Sequence, residues 1–215
     1  MTETMQRWSM DALGRDNLKL IQAPVPQPGP GEVRVRVNAV ALNYRDKMVI
    51  EGTMPIALSF PFTPASDMAG VVESTGEGVT RFTPGARVIS TFFPEWIDGR
   101  PTADARTLPY KTTGGYFQGM LSEYVIVNEN GLVAAPETLD DAEASTLPCA
   151  GLTAWFALVE RGQLRAGQSV LVQGTGGVAL FALQKRTAQR CLSPREAMKN
   201  WRRPKNWGLI RASTV

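Results

Sequence analysis

The stretch Ser169–Gln184, SVLVQGTGGVALFALQ, decides how the rest of the chain is read. Val170, Leu171 and Val172 form a short aliphatic run of the kind found in a strand buried on both faces. Gly174, Gly176 and Ala179 follow with the spacing G-x-G-x-x-A, and Val178, Leu180, Phe181 and Leu183 open an apolar helical pattern at once. Strand, glycine turn and helix in this order make the start of a dinucleotide-binding βαβ unit. The first glycine permits the tight turn, the second lets backbone approach a pyrophosphate, and the small third residue lets helix pack on strand. The turn through Gly176, Gly177, Val178 and Ala179 offers backbone N–H groups and a helix N-terminus to the phosphates. The plainer alternative is a glycine-rich turn between two core elements.

The composition around this stretch is that of a globular chain. Of 215 residues, 43% are hydrophobic and 20% charged, enough for one large domain or one domain and part of another. No apolar run approaches the ~18–20 residues that span a bilayer, and MTETMQRWSM lacks the apolar core of a signal peptide. Two cysteines, Cys149 and Cys191, do not make a disulfide framework. A cytoplasmic protein without a membrane partner is expected. Histidine is absent, which removes the commonest general base and metal ligand, and any Ser-His or Cys-His pair.

The net charge of +3 averages two unlike parts. Residues 1–184 carry 14 basic and 19 acidic side chains, and residues 185–215 carry 9 basic ones against the single acid Glu196.

Upstream, alternation in residues 32–41 places Val33, Val35, Val37 and Ala39 on one face of a strand and Arg34, Arg36 and Asn38 on the other. Such a strand suits an antiparallel sheet or barrel. A short helix is expected from Asn43-Tyr44-Arg45-Asp46 to Ile50, stopped by Gly52. MAGVVES (68–74), ARVIS (86–90) and Leu121–Val127 read as further strands, and the Gly- and Pro-rich stretch 92–118 as a long loop. From Asp140 two helices are expected, the first with acids in its opening turn and broken by Pro148.

Four segments in this order resemble the medium-chain dehydrogenase/reductase superfamily, in its zinc-independent branch near the quinone oxidoreductases. They are PQPGPGEVRVRVNAVALNYRD (26–46), SDMAGVVESTGEGVTRFTPGARV (66–88), LPCAGLTAWFAL (147–158) and GQSVLVQGTGGVALFALQ (167–184). The resemblance implies an α/β plus β chain: a GroES-like β-barrel catalytic domain over 1–138, then a helical bridge and an incomplete Rossmann nucleotide-binding domain over 139–184. It further implies an active site between the two domains, and hydride transfer between NADP or NAD and a small carbonyl, alcohol, enone or quinone. Zinc-dependent members have a cysteine at the start of the helix that here begins LNYRD, and Gly-His-Glu where this chain has Ser66-Asp67-Met68. Residues 92–111, where the structural-zinc lobe would lie, contain no cysteine. Both zinc sites are therefore expected to be lost.

Without zinc, hydrogen-bond donors must stabilise the developing oxyanion. The resemblance offers Asn43 and Tyr44 as catalytic residues, Asn43 also facing the cofactor, and places Thr153 beside the nicotinamide. Each has a structural alternative. Asn43 is a good N-cap and Asp46 the acid of a capping box, and Thr153 is a helical threonine able to bond its own backbone. Cys149, lacking a partner base, reads as a small hydrophobe rather than a nucleophile.

The tail 185–215 departs from the family. Glu196 lies 20 residues beyond Gly176, where a ribose-binding acid is expected, but TAQRCLSPR before it shows no strand alternation. An out-of-frame or rearranged end is the leading expectation. A nucleic-acid contact through the basic residues with Trp201 and Trp207 is the less favoured one. A barrel module that only binds is a further alternative to the enzyme. On the truncated reading, uncovered apolar surface drives self-association into homo-oligomers, and the chain by itself does not turn over.

The missing histidines generate a direct test. Protein purified from zinc-supplemented medium is expected to hold far less than one equivalent of zinc, with chelators leaving its thermal stability unchanged. Stoichiometric zinc in elemental analysis overturns this.

Overall fold

A computed structural model describes residues 3–99, 111–166, 168–183 and 190–192. The chain forms two compact units, Met1–Cys149 and Ala150–Val215.

The first unit is built on the valine-rich strand β3 (Glu32–Ala41). With β1 (Thr4–Met10), β2 (Leu18–Pro24), β4 (Asp67–Thr75), β5 (Arg87–Ser90), β6 (Tyr124–Asn128) and β7 (Leu132–Ala134) it makes two antiparallel sheets. One is the hairpin β1–β2, and the other has five strands in the order β6-β3-β4-β5-β7. Val33 and Val35 are fully buried, as their alternation predicts, and pack with Met68, Val72, Val88 and Leu132. Each such side chain stabilises the fold by roughly 1.5–3 kcal/mol relative to exposure.

Beyond Val37 the expected face changes. Val37 pairs with Gly70 and Ala39 with Ala69, so Asn38 is an extra residue in β3. This bulge re-aims the strand, and Val40 rather than Ala39 packs against the core cluster. Strand β1 carries no signal in the sequence reading. It forms because β2 pairs along its whole length and Leu121 and Phe62 accept hydrogen bonds from Trp8 and Met10 at 3.0 and 2.9 Å.

Helix α1 (Tyr44–Ile50) starts where expected. Helix α2 (Asp141–Ala144) opens with a full capping box: Asp140 accepts from the Glu143 N–H at 2.8 Å, and Glu143 accepts from the Asp140 N–H at 3.1 Å. Asp141 bonds Arg87 of β5 at 2.6 Å, and Ala144 is buried against Ala69 and Ile89. These contacts tie α2 to the sheet within the first unit. Pro148 sits in a π-type turn, Leu147–Gly151, early enough for its missing N–H to cost little.

In the second unit, α3 (Leu152–Trp155) and a further π-type turn (Phe156–Arg161) precede β8 (Ser169–Leu171) and α4 (Gly177–Ala182). The backbone then forms β9 (Arg190–Leu192), paired parallel with β8. A strand therefore lies where the sequence reading found no alternation. Three residues are too few for a periodic signal, and the parallel partner β8 determines the pairing. The unit is a βαβ arrangement with Val170, Val172 and Ala179 buried together, packed by Leu158, Leu164 and Leu183. The expectations for Glu196, Trp201 and Trp207 lie outside the described residues. No helix among the described residues is long and apolar enough to cross a membrane.

Gly70 marks the tightest approach between the central strands. A Cβ there would stand 2.3 Å from the Arg36 carbonyl oxygen and 2.9 Å from Val35 Cγ1. Gly70→Ala is expected to cost at least ~2 kcal/mol in urea unfolding. Stability equal to the parent's would mean that β3 and β4 separate freely.

Candidate functional site

The first unit gathers polar groups where β3 passes into α1. Asn43 has extended backbone (φ −107°, ψ 153°) and is the N-cap of α1. Asp46 Oδ2 reaches back to accept the Asn43 N–H at 2.7 Å, so Asp46 has the capping role that its position suggested. Asp46 is only 3% exposed, and its other oxygen, Oδ1, accepts no hydrogen bond among the described residues. Burial pushes its pKa up from 3.8 to about 6. The Asn43 N–H and the Arg45 charge pull the other way, and the neighbouring Asp67 adds to the rise.

Asp67, which opens β4, is the second buried acid, 1% exposed. Ser66 Oγ donates to its Oδ1 at 2.5 Å and the Cys149 N–H to its Oδ2 at 2.9 Å. The Asn43 side-chain amide leans on the same carboxylate and helps to lower its pKa. Its Nδ2 is nonetheless buried without a hydrogen bond of full geometry among the described residues. Burial still raises the Asp67 pKa against the pull of Ser66, Asn43, the Cys149 N–H and Arg45. Ser90 holds this strand start in place, donating to the Ser66 carbonyl at 2.9 Å and accepting from the Met68 N–H at 3.0 Å.

Arg45 turns from α1 to the opposite wall. Nη1 donates to the Thr113 and Gly114 carbonyls, each at 3.2 Å, and Nη2 to Thr112 Oγ1. The guanidinium carbon lies 4.9 Å from the centroid of the Phe92 ring. Gly114 (φ +63°) allows the loop to bend there, and a Cβ at Gly115 would meet Arg45 Nη2 at 2.3 Å. Tyr44, the first helical residue, is 72% exposed with Lys47 Nζ 5.4 Å from its ring centroid.

The donor set does not fit zinc. Both Asp67 oxygens already face N–H or O–H donors, and among the described residues no three Cys, Asp or Glu side chains form a group able to hold a metal.

In the second unit the turn has the expected form. Gly174 has φ +98°, a conformation that L side chains rarely adopt. Gly176 is the extended N-cap of α4 (φ −78°, ψ 175°). A Cβ at Gly174 or Gly176 would meet no atom within 4 Å, whereas one at Gly177 would lie 3.3 Å from Ala150 Cβ. Val178 follows in α4, and Ala179 is buried. Thr153 is half-buried in α3, and its hydroxyl makes no bond to the helix backbone among the described residues. Asn43 and Tyr44 thus meet at one helix start and Gly174–Ala179 in one turn, each set within its own unit. The sequence reading gave Arg45, Asp67 and Thr112 no site role. The signal for them was the pair Gly114-Gly115, which lets backbone come up against the arginine.

Residues 29–137 match the alcohol dehydrogenase GroES-like domain family. The chain belongs to that family, within the medium-chain dehydrogenase/reductases. It is 42% identical over 174 residues to the zinc-type alcohol dehydrogenase-like protein C1773.06c of Schizosaccharomyces pombe, covering 80% of this chain and 49% of that one. It is 33% identical over 176 residues to the quinone oxidoreductase of Rattus norvegicus, covering 80% and 46%. Among solved structures, one from Sinorhizobium meliloti 1021, named for an alcohol dehydrogenase, superposes with a TM-score of 0.85 at 56% identity. It covers 93% of this chain and 60% of the other. An NAD-dependent alcohol dehydrogenase gives 0.77 at 33% identity, covering 91% and 60%. The chain spans about half the length of the curated relatives it matches.

The buried acid makes stability depend on pH. Because the folded-state pKa of Asp46 is raised from 3.8 to about 6, its contribution is fully present below 3.8 and is lost as pH rises through about 6. Asp46→Asn keeps an acceptor for the Asn43 N–H and removes the titrating group. Above pH 6 it is expected to be more stable than the parent by up to on the order of 3 kcal/mol, with no difference at low pH. Urea melts across that range check it, and parallel pH profiles would overturn it.

Proposed function

We propose that this chain carries the substrate-side domain and the pyrophosphate turn of a zinc-free, NAD(P)-dependent oxidoreductase. Its substrate class is a small carbonyl compound or alcohol, or an enone or quinone. The observation that carries the reading is the β8–turn–α4 geometry, with Gly174 at φ +98° and open space where a Gly176 side chain would stand. That cradle fits a dinucleotide pyrophosphate, and a side chain would fill it. NADPH or NADH, when bound, supplies a hydride from nicotinamide C4.

This chain's own groups have separate tasks. Backbone N–H groups of Gly176, Gly177 and Val178 hold the pyrophosphate, and Ala179 lets α4 lie close on β8. The Thr153 hydroxyl is available to the nicotinamide end. Asn43 and Tyr44 present N–H and O–H donors to an oxygen on which negative charge develops. Names among the relatives, a quinone oxidoreductase and an NAD-dependent alcohol dehydrogenase, support the substrate class and the cofactor. A second reading, a GroES-like module that only binds, draws on the first unit's own buried core.

Titration of the full chain with NADPH and with NADH, followed by calorimetry, tests the reading and ranks the two cofactors. Saturable binding is expected, weakened at least tenfold by Gly176→Asp, which puts a carboxylate where the phosphates lie. Absence of binding, or equal binding by the variant, overturns it and favours the binding module. Turnover with a panel of quinones and enones then addresses the substrate.

A further inference from the structure

Past Val37, strand β3 loses its neighbour on the β6 side. The paired residues end at Arg36, and one further bond follows, from the Val37 N–H to the Glu123 carbonyl at 2.9 Å. The chain at 121–123 turns instead to β1. The Leu121 carbonyl accepts from the Trp8 N–H and the Gln6 carbonyl from the Glu123 N–H, each at 3.0 Å. Glu123 Oε2 takes the Gln6 N–H at 2.7 Å. The hairpin and the end of β3 thus diverge from a common segment, and between them lies a cleft of about 310 Å³. All of its lining residues belong to the first unit. Its size is at the low end of the volumes that hold small molecules, roughly 300–1,000 Å³.

The cleft has apolar walls. Trp8 and Leu20, register partners in the β1–β2 hairpin, line it and are 38% and 50% exposed. Paired across the strands, they offer one continuous surface on which a flat ring can lie. Val37, Val40 and Leu121 line it from β3 and the 121–123 segment.

The cleft also holds an unmatched cation. Arg7 is half-buried and lines it. Its Nε is buried without a hydrogen-bond partner, and Arg7 enters no ion pair among the described residues. A guanidinium donor left without an acceptor is costly, and a carboxylate has the two oxygens that fit its fork. The acid in the same lining, Glu123, is engaged by the Gln6 N–H. The Asn38 amide is spent on Arg36 and Asp141, and the Ser122 hydroxyl donates to the Tyr124 carbonyl at 2.9 Å. Arg7 is left as the charged group open to a ligand.

We propose that this cleft between β1 and the end of β3 binds a small aromatic carboxylate, its ring on Trp8 and Leu20 and its carboxylate on Arg7. The site shares no residue with the Asn43 cluster or with the Gly174–Ala179 turn. It stands whether or not the function proposed above holds.

Calorimetric titration of the full chain with 2-naphthoate tests it. Saturable one-to-one binding is expected, about tenfold or more weaker for the uncharged 2-naphthamide. Arg7→Gln keeps much of the stem and removes the charge, and is expected to weaken 2-naphthoate by about tenfold or more. Trp8→Ala weakens it about fivefold. Glu123→Gln keeps an acceptor for the Gln6 N–H and removes the like charge, so it tightens binding. Gly176→Asp leaves it unchanged, which separates the cleft from the pyrophosphate turn. In ¹⁵N-labelled protein the Arg7 Nε–H signal moves on saturation. Absence of binding, equal affinity for the amide, or undiminished binding by Arg7→Gln overturns the proposal, as does loss of binding in Gly176→Asp. Should Arg7→Gln fail to fold, the amide comparison and the parent's Arg7 signal decide alone.

Discussion

The antiparallel seam between β3 and β4 is the constraint on which the first unit depends. Ala41, the last residue of β3, is the register partner of Asp67, the first of β4. Two residues past Ala41 the chain reaches Asn43 and turns into α1. The seam therefore brings Asn43 and Asp67 near one another. The Asn38 bulge belongs to the same constraint. Without that extra residue, every side chain beyond it would change faces, because a one-residue slip inverts the strand's alternation. The valine core fixes the register, and the register places the site.

Much of this was legible in the sequence, for identifiable reasons. Val33 and Val35 announce β3 by alternation, and Asn43 with Asp46 announces a capped helix by spacing. Gly174, Gly176 and Ala179 announce the turn because backbone geometry there demands small residues. What could not be read depends on distant partners. Strand β1 exists through β2 and the 121–123 segment, and β9 through β8. Asp67 carried no site signal because its partners, the Ser66 hydroxyl and the Cys149 N–H, are not encoded by any local pattern. Cys149 lies 82 residues away in sequence. Arg45 was hidden in the same way, since its acceptors are carbonyls of a loop more than sixty residues on.

The replacement at the zinc-ligand positions has an electrostatic logic. In a metal-bearing relative a divalent cation would dominate the local charge and settle the protonation of every neighbour. Here two carboxylates occupy a dry pocket with one guanidinium beside them, and that guanidinium is shared with a loop. Two anions in such surroundings are costly, and burial raises the pKa of both. The cluster distributes its donors unevenly: Asp67 receives a hydroxyl and a backbone N–H, whereas Asp46 receives a single backbone N–H. Uneven solvation is what separates the acidities of two like groups.

Gly114 and Gly115 show how Arg45 is held. The loop that holds the Arg45 guanidinium must bring backbone carbonyls within hydrogen-bond reach of a side chain, and a Cβ at either glycine would collide with Ala65 or with Arg45 itself. Three oxygens and the Phe92 ring anchor Arg45. From there its charge still pulls the pKa of both acids down. The loop thus fixes where the charge that offsets the burial of the two acids sits.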